Sequence, residues 1–150
     1  FFARPRPPTR PRLREASPPP GMFHTTQVRA LLVSLRDADD DDAAAVTRAC
    51  DNGVSPNAVE ERVYQRGWPL LCVACFHGKL EQGKRLVELG ADVDKPRPCR
   101  RTPLFCAAGA GANARLVRYL IEHGATVDAP ASDNATPLYV ACQGGRADVV

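Results

Sequence analysis

One phrase recurs along this chain at a fixed interval, and that recurrence limits the fold more than any other feature. Arg101-Thr102-Pro103-Leu104-Phe105-Cys106-Ala107-Ala108 aligns with Ala135-Thr136-Pro137-Leu138-Tyr139-Val140-Ala141-Cys142, Thr102 falling on Thr136. A weaker copy, Gly67-Trp68-Pro69-Leu70-Leu71-Cys72-Val73-Ala74, sits one such interval upstream, with Pro69 falling on Pro103. A second phrase keeps the same phase: Leu89-Gly90-Ala91-Asp92-Val93-Asp94 falls on His123-Gly124-Ala125-Thr126-Val127-Asp128, with a fainter form at Asn52-Gly53-Val54-Ser55-Pro56-Asn57. Two independent phrases sharing one period indicate a repeat architecture, in which each unit buries its apolar face only against its neighbours.

The residue types within each unit predict helices and their ends. The hydroxyls of Thr102 and Thr136 suit a helix cap, and Pro103 and Pro137 suit the first helical position, where no amide is needed. Small residues follow, Ala107, Ala108, Ala141 and Cys142, and they permit a neighbouring helix to approach closely. Leu116, Val117, Leu120 and Ile121 then occupy one face of a second helix. That helix is expected to stop at Gly124, where a left-handed residue closes it without a Cβ clash, and Gly90 is expected to do the same one unit earlier. The predicted unit is helix, short turn, helix, then an extended loop to the next Thr-Pro.

These residues resemble the ankyrin-repeat family, whose pattern is Thr-Pro-Leu-His, paired alanines, a glycine turn, a leucine-rich helix and Gly-Ala-x-x-Asn or Asp. The likeness covers about residues 67 to 150 and follows the family order at nearly the family period of about 33. It implies an all-α solenoid of helix–turn–helix units joined by hairpin-like loops, with Pro69, Gly90, Thr102, Pro103, Leu104, Gly124, Thr136, Pro137 and Leu138 as its structural motif. There are departures. Leu71, Phe105 and Tyr139 replace the family histidine, and Trp68 stands where the capping threonine belongs, at an expected cost of about 1 kcal/mol. An extra residue is expected near Cys72 in one repeat and near Asn113 in the next. Gly83, inside a second helix, is expected to weaken it by about 1 kcal/mol.

Upstream, Val28, Leu31, Leu32 and Leu35 fit one helical face, and Val46, Ala49 and Cys50 suit a second helix before Gly53. Residues 23–57 therefore read as a degenerate amino-terminal repeat that caps the stack. The reading continues with a connecting loop at 58–67, repeats at 68–101 and 102–135, and a repeat at 136–150 that is cut before its second helix. The array is accordingly expected to continue beyond Val150.

Composition narrows the partners. Seven of the 14 prolines lie in residues 1 to 20, with five arginines and one acid. That segment carries +4 against an overall +3, which leaves the remainder at about −1. A disordered Pro/Arg tail, or a non-native leader, is expected over 1–22. The body offers no broad cationic face, so no nucleic-acid partner is expected. The longest apolar run, residues 69–76, falls far short of the roughly 20 residues of a membrane span. No basic start and apolar stretch of a secretory signal precedes the repeats, so an intracellular protein, cytoplasmic or nuclear, is expected, with its six cysteines reduced.

Candidate chemistry meets simpler explanations. Cys72-x-x-Cys75 with Cys99 and Cys106 raises a zinc site, but thiols at small-residue positions of first helices are better read as packing. Asp37 and Asp39 to Asp42 suggest calcium, yet a loop counted from Asp37 has Asp42 and Arg48 where glycine and glutamate are required. His24, His77 and His123 fall in no catalytic partnership, and no phosphate-binding glycine loop exists. No catalytic residue, metal or cofactor is expected. Pro5-Arg6-Pro7-Pro8-Thr9-Arg10 has the P-x-x-P-x-R form that SH3 domains dock.

The resemblance implies a non-enzymatic protein–protein interaction module, a scaffold or adaptor, that meets its partner through loop tips and the concave helical face. The tips are Lys95-Pro96-Arg97-Pro98-Cys99-Arg100-Arg101 and Ala129-Pro130-Ala131-Ser132-Asp133-Asn134. Partner-binding candidates are Arg97, Arg100, Arg101, Phe105, Ala131, Asp133, Tyr139 and Gln143, the arginines being suited to acidic groups. An alternative is the substrate-recognition arm of a larger protein such as a ubiquitin-ligase adaptor, because Thr-Pro-Leu-Tyr-Val-Ala-Cys is similar to ankyrin proteins that carry a SOCS box.

Overall fold

A computed structural model describes residues 22–37, 43–59, 67–111 and 114–150 of the chain. The Pro/Arg segment with its SH3-type motif, most of the acidic cluster, residues 60–66 of the predicted connecting loop and the predicted insertion at Asn113 lie outside these residues.

Among the described residues seven α-helices follow one another: α1 Met22–Asp37, α2 Ala43–Asp51, α3 Leu70–Phe76, α4 Leu80–Glu88, α5 Pro103–Ala110, α6 Ala114–Glu122 and α7 Pro137–Gln143. They pack in two rows. Helices α1, α3, α5 and α7 lie side by side in one row, and α2, α4 and α6 form the other. Each of α1, α3 and α5 also packs on the second helix of its own pair. Among the described residues, strand-like pairing is confined to two isolated bridges, Val59 with Pro69 and Arg97 with Arg101. The expected all-α helix-pair solenoid is what the chain forms, and α1 and α2 stack on α3 and α4 as those do on α5 and α6.

The helix starts follow from the threonines. Thr102 Oγ1 accepts from the Phe105 amide at 3.3 Å, and Thr136 Oγ1 accepts from the Tyr139 amide at 3.2 Å. Pro103 and Pro137 occupy the first turn. Helix α3 departs from the expected alignment. Its cap is Pro69 itself, with no side-chain hydrogen bond, so Leu70 rather than Pro69 takes the first helical position. The first helical bond runs from the Val73 amide to the Pro69 carbonyl, as Cys106 bonds Thr102 and Val140 bonds Thr136.

Counted from cap to cap, the interval from Pro69 to Thr102 is one residue shorter than that from Thr102 to Thr136. The left-handed glycines 78, 111 and 145 follow the three caps at one constant spacing and fix the same correspondence. The extra residue expected near Cys72 is therefore absent; the helix starts one residue later than an alignment of proline on proline suggests. Trp68 is not in the capping position, and Cys72 rather than Leu71 is the counterpart of Phe105 and Tyr139. Leu71 instead matches Leu104, and both are 1% exposed.

Small residues hold the first row close. Ala74, Ala107 and Ala141, equivalent by the cap count, are at most 1% exposed, so no long side chain separates α3, α5 and α7. Second helices add Leu86, Leu116 and Leu120, each fully buried and each contributing about 1.5–3 kcal/mol by leaving water. Gly83 has a packing use that its helix propensity hides: a Cβ there would stand 3.1 Å from Leu116 Cδ1, so the glycine lets α6 lie close against α4. Leu138, in contrast to Leu104, is 50% exposed, because α7 has α5 on one flank and no following helix among the described residues.

After each second helix the chain reverses at a glycine. Gly90 and Gly124 take φ of 94° and 89°, which L side chains rarely adopt. The next amide closes the helix, Ala91 onto the Leu86 carbonyl and Ala125 onto that of Leu120. The repeated Asn or Asp that ends this phrase links one repeat to the next. Asn57 Oδ1 accepts from the Asp92 amide at 2.8 Å, and Asp94 accepts from both the amide and the hydroxyl of Thr126, at 2.9 and 2.6 Å.

Candidate functional site

The loop between α4 and α5 turns back on itself as a small hairpin. The Arg97 amide donates to the Arg101 carbonyl at 3.0 Å. At its tip Cys99 and Arg100 both take left-handed backbone, φ 70° and 57°, a conformation costing non-glycine residues roughly 1 kcal/mol or more each. The next loop copies the frame, with the Ala131 amide on the Ala135 carbonyl at 2.9 Å and Asn134 at φ 60°. The two loops are joined where the Ser132 amide donates to the Cys99 carbonyl at 3.0 Å.

Between this second loop and the first-row helices lies an open groove of about 630 Å³, lined by Arg101, Phe105, Asp133, Asn134, Ala135, Thr136, Tyr139, Val140 and Gln143. Arg101 spans it. Its guanidinium lies over the Phe105 ring, 5.1 Å from the centroid, and its Nη2 reaches Asp133 Oδ2 at 3.2 Å. The Ala135 amide donates to Asp133 Oδ1, and this bond, with the Arg101 guanidinium, holds the Asp133 carboxyl below its ordinary range. Tyr139 is 58% exposed and forms the open wall.

Of the residues singled out from sequence, Arg101, Phe105, Asp133, Tyr139 and Gln143 share this groove. Arg97 lies beside it, its guanidinium 3.8 Å from the centre of the Trp68 ring, and Arg100 is exposed at the hairpin tip. Ala131 is a correction: it is 3% exposed, and its amide builds the loop frame, so its side chain is not presented to a partner. Phe105 is also largely covered, at 5%, and contributes the groove floor.

Sequence reasoning missed Trp68 as a platform. Placed on the threonine it looks like a defective cap; the cap count puts it level with Arg101, where it meets Arg97. Trp68 also packs edge-on against Phe76, centroids 5.4 Å apart, and Phe76 is 42% exposed at the position equivalent to Gln143. The signal was an aromatic at the end of α3, one turn from the small residues of its packed face.

Three thiols, those of Cys72, Cys75 and Cys106, are buried among the first-row helices. Cys72 Sγ points at the Lys95 carbonyl at 3.6 Å, and a hydrogen bond with Cys106 together with burial raises its pKa. Burial above all pushes the Cys75 thiol well up. Among the described residues, no group of three or more His, Cys, Asp or Glu side chains is arranged to hold a metal ion. His77 stacks edge-on against Phe76, and His123 lies over Tyr119 at 3.9 Å with Nδ1 2.8 Å from the Tyr119 carbonyl. No helix among the described residues is long and apolar enough to cross a membrane.

Stacked helix pairs with protruding hairpins and a groove along the first helices define a repeat solenoid of the kind that binds other proteins. A family model described as ankyrin repeats (3 copies) matches residues 70–150, more than half of the chain. The chain belongs to the ankyrin-repeat family. No curated protein matches it in a sequence search.

Proposed function

We propose that this protein is a non-enzymatic scaffold or adaptor whose partner lies in the groove between the hairpin loops and the first-row helices. The observation that carries this reading is the convergence of Arg101, Phe105, Asp133, Tyr139 and Gln143, from two loops and two helices, on one open surface. A large aromatic ring more than half exposed beside an arginine is the pairing in which interface hot spots are enriched. The opposite row presents mainly charged side chains, among them the Glu81–Lys84 and Arg85–Glu88 pairs, each three residues apart on α4. Such pairs describe a solvated face.

The expectation of an intracellular setting is supported by the use of Cys72, Cys75 and Cys106 as buried apolar packing, which requires them to remain thiols.

The test is site-specific photo-cross-linking. A benzophenone amino acid is placed at Tyr139, and in a second protein at Ile121 of α6, exposed to a similar degree. Discrete adducts in cell extract are expected from the groove position and not from the outer row. Equal labelling from both positions, or from Ile121 alone, would refute the reading.

A further inference from the structure

The two arginines of the first hairpin stand in an unusual relation. Arg97 and Arg101 are the paired residues of an antiparallel bridge, so their side chains leave the same side of the hairpin with Cβ atoms about 5 Å apart. Like charges so close repel, and the fold holds each against an aromatic face: Arg97 on Trp68 at 3.8 Å, Arg101 over Phe105 at 5.1 Å. Seated over a ring, each guanidinium is held in place with its terminal N–H groups left to be read.

Their charge is only half answered. Asp133 pairs with Arg101 through a single 3.2 Å contact, both side chains being about a third or more exposed. Among the described residues Arg97 has no carboxylate partner, and the trio of Arg97, Arg101 and Asp133 is left at +1. The Nε atoms of both arginines are shielded from water and have no hydrogen-bond acceptor. Such unpaired buried donors are rare in folded proteins; closed to water, they are closed to a carboxylate oxygen as well, so an incoming anion approaches the terminal Nη groups, one of which Asp133 already engages on Arg101.

We propose that Arg97 and Arg101 form the anion-reading element of the groove, that it takes the side-chain carboxylate of an extended acidic segment of the partner, and that Asp133 is a resident counter-ion which this carboxylate displaces from Arg101. The inference rests on the reading of the groove as a protein-binding surface and names what that surface selects. An acidic peptide fits better than a nucleic acid, because two stacked arginines and a single exposed tip arginine give one focus of charge on a body whose net charge is about −1, not a stripe that tracks a phosphate backbone.

Trp68, the only tryptophan of the chain, lies under Arg97 and reports on it. The intact protein is titrated at low ionic strength with a short peptide of alternating glutamate and glycine, its glutamine counterpart, a phosphoserine counterpart and a short oligothymidylate, following Trp68 emission. The glutamate peptide is expected to bind and shift the emission; the glutamine peptide is not. Asp133→Asn should tighten glutamate-peptide binding about two- to fivefold by removing the internal competitor, the range set by exposed ion pairs. Arg97→Lys with Arg101→Lys keeps the charge but loses the planar fork and stacking, and should weaken binding about fivefold or more. Arg118→Ala, on the exposed face of α6, should change nothing.

Matching urea midpoints show that the variants fold. No binding of the glutamate peptide, equal binding of the glutamine peptide, an unchanged lysine variant, or weaker binding by Asp133→Asn would each overturn the proposal. Binding of the phosphoserine peptide alone would overturn the carboxylate assignment, and an oligothymidylate bound as tightly would overturn the choice of a protein partner. If these fail while adducts still form at the Tyr139 position, the groove binds its partner by other means and the functional reading stands.

Discussion

Removing one hydroxyl should cost different amounts in two copies of the same motif. Thr102 and Thr136 make equivalent caps, 3.3 and 3.2 Å from the amides of Phe105 and Tyr139. Thr102, however, is 6% exposed and starts a helix flanked on both sides, whereas Thr136 is half-buried and starts α7 beside exposed Leu138 and Tyr139. Thr102→Ala leaves the Phe105 amide without a partner where water cannot reach it, so the loss should approach the upper part of the capping range, about 2 kcal/mol. Thr136→Ala exposes its amide to solvent and should cost about 0.5–1 kcal/mol. At about 3 °C per kcal/mol for a chain of this size, the melting points should fall by about 6 °C and about 2 °C. Urea unfolding followed by circular dichroism and by Trp68 emission measures both, and the two signals must coincide for the free energies to be meaningful. Equal losses, or a larger loss for Thr136→Ala, would refute the argument that burial of the orphaned amide sets the cost.

Other expectations follow from single contacts. Gly83→Ala gains about 1 kcal/mol of helix propensity but drives a methyl group to 3.1 Å from fully buried Leu116, an overpacking cost of about 1–3 kcal/mol; net destabilisation of about 1 kcal/mol in urea is expected, and stabilisation would show that α6 yields easily. Thiol labelling with a disulfide reagent should modify exposed Cys99 and Cys142 rapidly and Cys72, Cys75 and Cys106 only on unfolding. Since Asp133 has a lowered pKa in the folded chain, its contribution is fully present above the ordinary carboxyl value and disappears as pH falls through the lowered one; carboxyl NMR should show that titration move up toward the ordinary value in Arg101→Ala.

The repeat, the helix pairs and the threonine caps were legible because each is local: hydroxyl, proline and glycine at fixed spacing dictate backbone geometry within one turn. The start of α3 was not, since proline serves either as a cap residue or at the first helical position, and only the carbonyl that accepts from Val73 decides between them. The use of Gly83 was hidden for a related reason, as it lies in the approach of Leu116 from the second helix of the following repeat. In the groove, Arg101, Phe105, Asp133, Tyr139 and Gln143 could be named from the family geometry. Ala131 could not be dismissed, because a small residue at a loop tip shows no burial until the loop frame is known. Trp68 became visible as a platform only after the cap count moved it by one position, next to Arg97.

The central claim, that recognition belongs to the hairpins and first-row helices and not to the second row, is tested most directly by amide hydrogen exchange of the intact chain with and without a cross-linked partner. Bound protein should gain protection at 97–106 and 132–143 while 81–88 and 115–122 exchange unchanged. Protection concentrated on α4 and α6, with the hairpins as open as before, would contradict it.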